Sequence, residues 1–156
     1  MLSFNVIVVT TDFSDHSLRA LAYAIGLAEK YEAAIKILYV NEPALQVSDM
    51  AWVGVDERSL TKERVKEARD QLDRIIQDQF PPNVEVEAEV RSGDAVDEIT
   101  GYADAVNADL IVMATHGRTG LSHVLMGSTA AQVIRRASCQ VLTLKHPMQV
   151  TTGPES

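Results

Sequence analysis

The chain has 156 residues, 46% of them apolar, and sets 14 Lys and Arg against 22 Asp and Glu for a formal net charge of −8. That length and apolar content suit one cored domain of ordinary size and exclude a largely disordered chain. The acidic balance argues against a nucleic-acid binder, whose affinity rests on phosphate neutralisation by Lys and Arg, and against an anionic membrane surface, while leaving room for a local cationic pocket.

The single cysteine, Cys139, rules out an intrachain disulfide, and a reducing cytoplasm is the simplest setting. No basic, apolar, small-residue signal pattern opens the chain, and the apolar run Ala20 to Ala28 is too short to insert across a membrane.

In chain order, Phe4 to Val9 is a continuous apolar, β-branched run that predicts a strand covered on both faces. Ser14 stands as an N-cap before Leu18, Leu21, Ile25 and Ala28 at helical spacing. Ala34 to Val40 is a second strand. Residues 42 to 57, with Pro43, Met50, Gly54 and Trp52, are longer than a usual connection. They read as a lid over a ligand, a partner contact, or an apolar patch folded on the sheet edge. Val65, Ala68, Leu72, Ile75 and Ile76 stripe a long helix that Pro81 and Pro82 stop.

Val84 to Val90 alternates strictly, which marks a strand with one wet face near a sheet edge. Gly93 and Asp94 turn into a helix with Ala95, Ile99, Ala103 and Val106 inward. Asp109 to Met113 is the fourth strand. Ala130, Val133, Ile134 and Ala137 stripe a fourth helix, and Arg135 and Arg136 suit its C-terminal end. Gln140 to Leu144 is the fifth strand.

This alternation predicts an α/β fold, a parallel sheet with helices on both faces, within a single domain over 1–146 followed by a polar tail over 147–156. In such sheets ligands sit beyond the carboxyl ends of the strands, where the strand order reverses. With the order 3-2-1-4-5, the turn Thr10-Thr11-Asp12-Phe13-Ser14 and the turn after the fourth strand flank one crevice.

The second of those turns, ATHGRTGLSHVLMGST from Ala114 to Thr129, is the richest stretch in the chain. Gly117 and Gly120 allow backbone N–H groups to converge on an anion. Gly127-Ser128-Thr129 opens a helix, where free N–H groups and the positive dipole end favour phosphate. The stretch is neither a Walker A loop, lacking a Lys before Ser128, nor GxGxxG. A bland reading remains: glycines that end a strand and cap a helix, with Ser128 or Thr129 as plain caps. For Asp12 the bland reading is an Asx turn, which can coexist with ligand binding. His116, next to Gly117, and Arg118 read either as phosphate contacts or as solvated loop residues. His116 and His123 have no Cys or carboxylate at ligand spacing, so a metal site is not expected.

Gly117, nine residues, then Gly127-Ser128 resembles the nucleotide-binding signature of the universal stress protein family. The segments Thr11 to Ser14, Ile37 to Val40 and Cys139 to Leu144 are similar to that family as well, so the likeness runs over about residues 4 to 145. It implies a three-layer, Rossmann-like, open five-stranded parallel sheet of order 3-2-1-4-5, of the adenine nucleotide α-hydrolase-like kind. It further implies a site for ATP, AMP or ADP, with Mg²⁺ carried on the phosphates. By motif position, Thr10, Thr11 and Asp12 would face ribose and adenine, and Val40 would hold adenine through its backbone. Met113, Ala114, His116, Gly117, Arg118, Gly120, Gly127, Ser128 and Thr129 would complete the pocket and hold the phosphates. Pairing through the last strand (Val141, Leu142, Thr143, Leu144) would make a homodimer. Two departures stand out: Ala114 replaces the first motif glycine, and Thr10 stands where Pro is frequent.

Three functions follow. The first is a stress-response regulator or sensor that binds ATP and acts through dimerisation and a protein partner. The second is a slow ATPase, which the absence of an obvious base disfavours. The third is a scaffold of the same fold that has lost nucleotide, for which Ala114 is the main support.

Overall fold

The computed structural model describes residues 1–43, 57–116 and 126–145. Along them run β1 (Val6–Thr10), α1 (Asp15–Tyr31), β2 (Ala34–Asn41), α2 (Glu57–Gln79), β3 (Val86–Ser92), α3 (Ala95–Ala105), β4 (Leu110–Ala114), α4 (Ser128–Arg136) and β5 (Gln140–Leu144). All strand pairs are parallel, as the alternation predicted, and the sheet order is β3-β2-β1-β4-β5, as the family resemblance implied. The 42–57 stretch lies almost wholly outside the described residues, and so does the tail.

The sheet centre is apolar because helices cover both faces. Ile7, Val8 and Val9 of β1 pair with Leu110, Ile111 and Val112 of β4, and all six are buried. On one side Ile7, Val9, Ile35, Ile37 and Val112 pack against α1 and α2 through Ala20, Leu21, Ala24, Ala28, Ala68 and Leu72. On the other, Val8, Leu38, Ile111 and Met113 pack against α3 and α4 through Val96, Ile99, Tyr102, Ala103, Ala130 and Val133. The small residues at Ala20, Ala24 and Ala28 lie on one face of α1 and let it settle close to the sheet.

Two details depart from the pattern. The third strand begins at Val86, not Val84, because Val84 N donates to Pro81 O at 3.1 Å in a turn that the two prolines favour. Val84 is nonetheless buried, and β3 is an edge strand, as its alternation predicted. Ile134, placed inward by the stripe, is 43% exposed. Consecutive helical residues point about 100° apart, and Val133 already takes the core position.

A carboxylate fastens the far end of the central strand pair. Asp109 Oδ2 accepts from Asn5 N at 2.7 Å and Val6 N at 3.0 Å, and these two bonds hold its pKa below the ordinary carboxylate value. A depressed carboxyl pKa contributes stability that is present above the unfolded value, near 3.8, and lost as pH falls through the folded one. Asp109→Asn should therefore cost stability at neutral pH, by at most roughly 1 kcal/mol since water screens this half-exposed group. Its deficit relative to the parent should shrink below about pH 4 in urea melts. A deficit that stays constant into the acid range would refute the charge-based origin.

Candidate functional site

The chain crosses from one side of β1 to the other between β3 and β4, so the carboxyl ends of β1 and β4 border the crevice where order reverses. The end of β1 is built by a compact hydroxyl network. Ser17 Oγ donates to Ser14 O at 2.9 Å, which leaves it to accept from Thr11 Oγ1 at 3.0 Å and from Asp12 N at 3.3 Å. Thr11 Oγ1 in turn accepts from Phe13 N at 3.0 Å. Thr11 and Ser17 are both buried.

This network explains an unusual backbone. Phe13 has φ 65°, a left-handed value that a bulky residue rarely adopts. Its ring stacks on Tyr39 with centroids 4.9 Å apart, so packing and the Thr11 bond hold the turn. The turn brings Ser14 N to Asp12 Oδ1 at 2.9 Å, the Asx-turn geometry weighed for Asp12. Ser14 caps α1 as expected, its side chain accepting from Ser17 N.

Val40 and Met113 share the α3–α4 side of the sheet, the side that also carries Ala130 and Val133 of α4. Thr10 pairs with Leu38, two residues before Val40 on β2. Thus Thr10, Val40, Met113 and the start of α4 converge from separate stretches of sequence. Ala114 closes β4 in register with Leu144 and is not among the positive-φ residues, Phe13, Glu32 and Asn107. Its backbone is ordinary strand, so alanine carries no conformational penalty there.

At Gly127 the need for glycine is steric. Its φ is −55°, which any residue adopts, but its N–H donates to Thr115 O at 2.8 Å. A Cβ on Gly127 would lie 2.7 Å from that same carbonyl oxygen. Gly127 is the N-cap of α4 and offers no side-chain cap, while Ser128 and Thr129 occupy the first turn. The capping role weighed for these two hydroxyls is therefore not used. The first-turn amides have no intrahelical acceptor, and the dipole end is positive.

His116 is half-buried, one residue after buried Thr115. Gly117, Arg118, Gly120 and His123 lie outside the described residues. Three residues carry the site without having been marked by motif reading: Thr115, Ser17 and Phe13. Ser14-x-x-Ser17 after a strand was the one available signal, a cap followed by a hydroxyl on the next turn. Thr115 bears no sequence signal beyond its place between Ala114 and His116. No group of three or more His, Cys, Asp or Glu among the described residues forms a metal-sized cluster. No described helix is long and apolar enough to cross a membrane.

Fold and crevice together define a doubly wound α/β domain with an amide-lined helix start at its switch point. The family model described as the universal stress protein family matches residues 3–145, and the chain belongs to that family. A universal stress protein of Methanocaldococcus jannaschii, MJ0531, is 35% identical over 147 residues, covering 92% of this chain and 84% of that one. YxiE of Bacillus subtilis, also a universal stress protein, is 29% identical over 150 residues, covering 91% and 99%. Among solved structures, UspA of Lactobacillus plantarum superposes with a TM-score of 0.80 at 24% identity, covering 92% and 99%, a likeness of fold. A universal stress protein solved in complex with cAMP gives a TM-score of 0.61 at 29% identity, covering 92% and 98%.

Proposed function

We propose that this protein is an adenine-nucleotide-binding regulator, with ATP as its ligand and Mg²⁺ riding on the phosphates. The observation that carries the reading is the start of α4: an N-cap without a side-chain cap, held against Thr115 O by a glycine, followed by two hydroxyl residues. Such a terminus has donors and a positive dipole to offer an anion. The 29% identical relative in complex with cAMP supports an adenine ring as the other half of the ligand.

In this reading Gly127, Ser128 and Thr129 hold phosphate, with Gly117, Arg118 and Gly120 on the preceding loop. Val40, Met113 and Ala114 line the adenine side, Thr10, Thr11 and Asp12 the ribose side, and His116 sits by the phosphates. Strand geometry at Ala114 removes the main reason for preferring a scaffold without nucleotide. The role is binding and signalling in the cytoplasm, not turnover. Pairing of two copies along β5 belongs to the same reading: β5 is the sheet edge, and Val141, Leu142, Thr143 and Leu144 are all half-exposed.

Calorimetric titration of verified nucleotide-free protein with ATP and Mg²⁺ tests the proposal. Saturable heat is expected, and Ser128→Ala with Thr129→Val should weaken it about 10-fold or more, at least ~1.4 kcal/mol, by removing two donors to a charged group. Absence of saturable heat at millimolar ATP in the parent protein would sink the reading.

A further inference from the structure

Besides the crevice, the molecule has a cleft of about 370 Å³ on the α1 side of the sheet. His16, Arg19 and Tyr23 of α1 line it together with Thr115, His116 and Lys145. The helix residues are three and four apart, so they share one face of α1 and look into the same space. Leu144 floors the cleft beside Thr115, whose Oγ1 donates to Leu144 O at 3.2 Å.

The chemistry of this wall differs from that of the rest of the molecule. Acids outnumber bases by 22 to 14 in the chain, yet none of the described residues lining the cleft is Asp or Glu. Neither Arg19 nor Lys145 has an ion-pair partner among the described residues. Two cations with no ion-pair partner among the described residues, two imidazoles, a phenol and a threonine hydroxyl line this one cleft, with Arg19, Tyr23 and Lys145 exposed at its surface. A guanidinium and an ammonium lining one cleft suit a compact oxyanion, the first by a planar fork and the second as a point charge. The volume, about a dozen waters' worth, admits such an anion together with a small organic body.

We propose that this cleft is a second anion site, which takes a phosphoryl group, free or as a small phosphate ester. It goes beyond the nucleotide reading and does not depend on it. The nucleotide site uses the start of α4 and the sheet face that α3 and α4 cover, whereas the cleft uses α1. The two adjoin at Thr115, whose carbonyl accepts from Gly127 N while the residue itself lines the cleft, and they share His116, which the nucleotide reading sets by the phosphates.

The test is a ¹⁵N-resolved NMR titration of the full chain with inorganic phosphate at constant ionic strength, repeated with glycerol phosphate to separate free phosphate from ester. Saturable shifts are expected at Arg19, Tyr23 and Lys145. Arg19→Gln with Lys145→Gln should weaken binding about ten-fold or more, and Ser128→Ala with Thr129→Val should leave it unchanged. The Gln variant's thermal melt and ATP titration verify that it is folded. Three outcomes would each overturn the proposal: no saturable shift with either probe, shifts confined to Ser128 to Ala130, or an unaltered affinity in the folded Gln variant. The third and the first leave the nucleotide reading standing, because that reading fails only on the ATP titration.

Discussion

Gly127→Ala is expected to destabilise the fold by about 1–3 kcal/mol, the usual range for forcing an extra carbon into a filled space, and to abolish measurable ATP binding. The added methyl would stand 2.7 Å from Thr115 O. The obstacle is main chain, so no side chain can swing aside. Relief requires α4 to back away from β4, which stretches the 2.8 Å bond from Gly127 N to Thr115 O and displaces the amides of Ser128 and Thr129. Stability and affinity should thus fall together. Urea melts and ATP titration measure the two effects. Gly26→Ala is the matched control: its new methyl meets nothing within 4 Å, and alanine favours a helix interior by roughly 0.5–1 kcal/mol. A Gly127→Ala protein as stable as its parent, with ATP affinity intact, would refute the steric account of this position.

Ser17→Ala should cost about 1–3 kcal/mol, since it strips acceptors from buried or half-buried donors without filling their place. Thr11 Oγ1 loses its acceptor, Asp12 N loses a 3.3 Å bond, and Ser14 O loses the hydroxyl at 2.9 Å. Phe13 then keeps its left-handed backbone only through the Tyr39 stack and a Thr11 hydroxyl that is free to rotate. The turn carrying Asp12 should loosen, and ATP affinity should drop with stability. Ser17→Thr retains the hydroxyl and should recover part of both. If Ser17→Ala melts like the parent in denaturant, the hydroxyl network is not what holds the turn.

The order of elements was legible because each strand and helix announces itself locally. Phe4 to Val9 is an unbroken apolar run, Val65 to Ile76 repeats at helical spacing, and Val84 to Val90 alternates as an edge strand must. The start of α4 was legible too, since Gly127-Ser128-Thr129 are consecutive. What stayed hidden depends on residues distant along the chain or on backbone shape. Ser17 matters because it folds back onto Thr11, and Phe13 because Tyr39 of another strand supports its torsion. Thr115 matters because Gly127, farther along the chain, returns to its carbonyl. Ile134 was misplaced for a simpler reason: the core stripe of α4 runs through Ala130 and Val133, and Ile134 falls just outside it. The cleft was out of reach of sequence, since His16 and Lys145 sit near opposite ends of the chain.

The pairing of β1 with β4 joins Ile7 to Leu110 and, among the described residues, is the one strand pairing between the two halves of the sheet. The other pairings connect strands that follow one another in sequence, whereas this one closes a loop of about a hundred residues and carries the largest entropic cost of the set. The crevice at the head of that seam exists only when both halves are docked. A molecule lodged there would therefore act as a latch on assembly of the entire domain, opposing global unfolding in proportion to its concentration over its dissociation constant, and would leave fraying at the outer strands untouched.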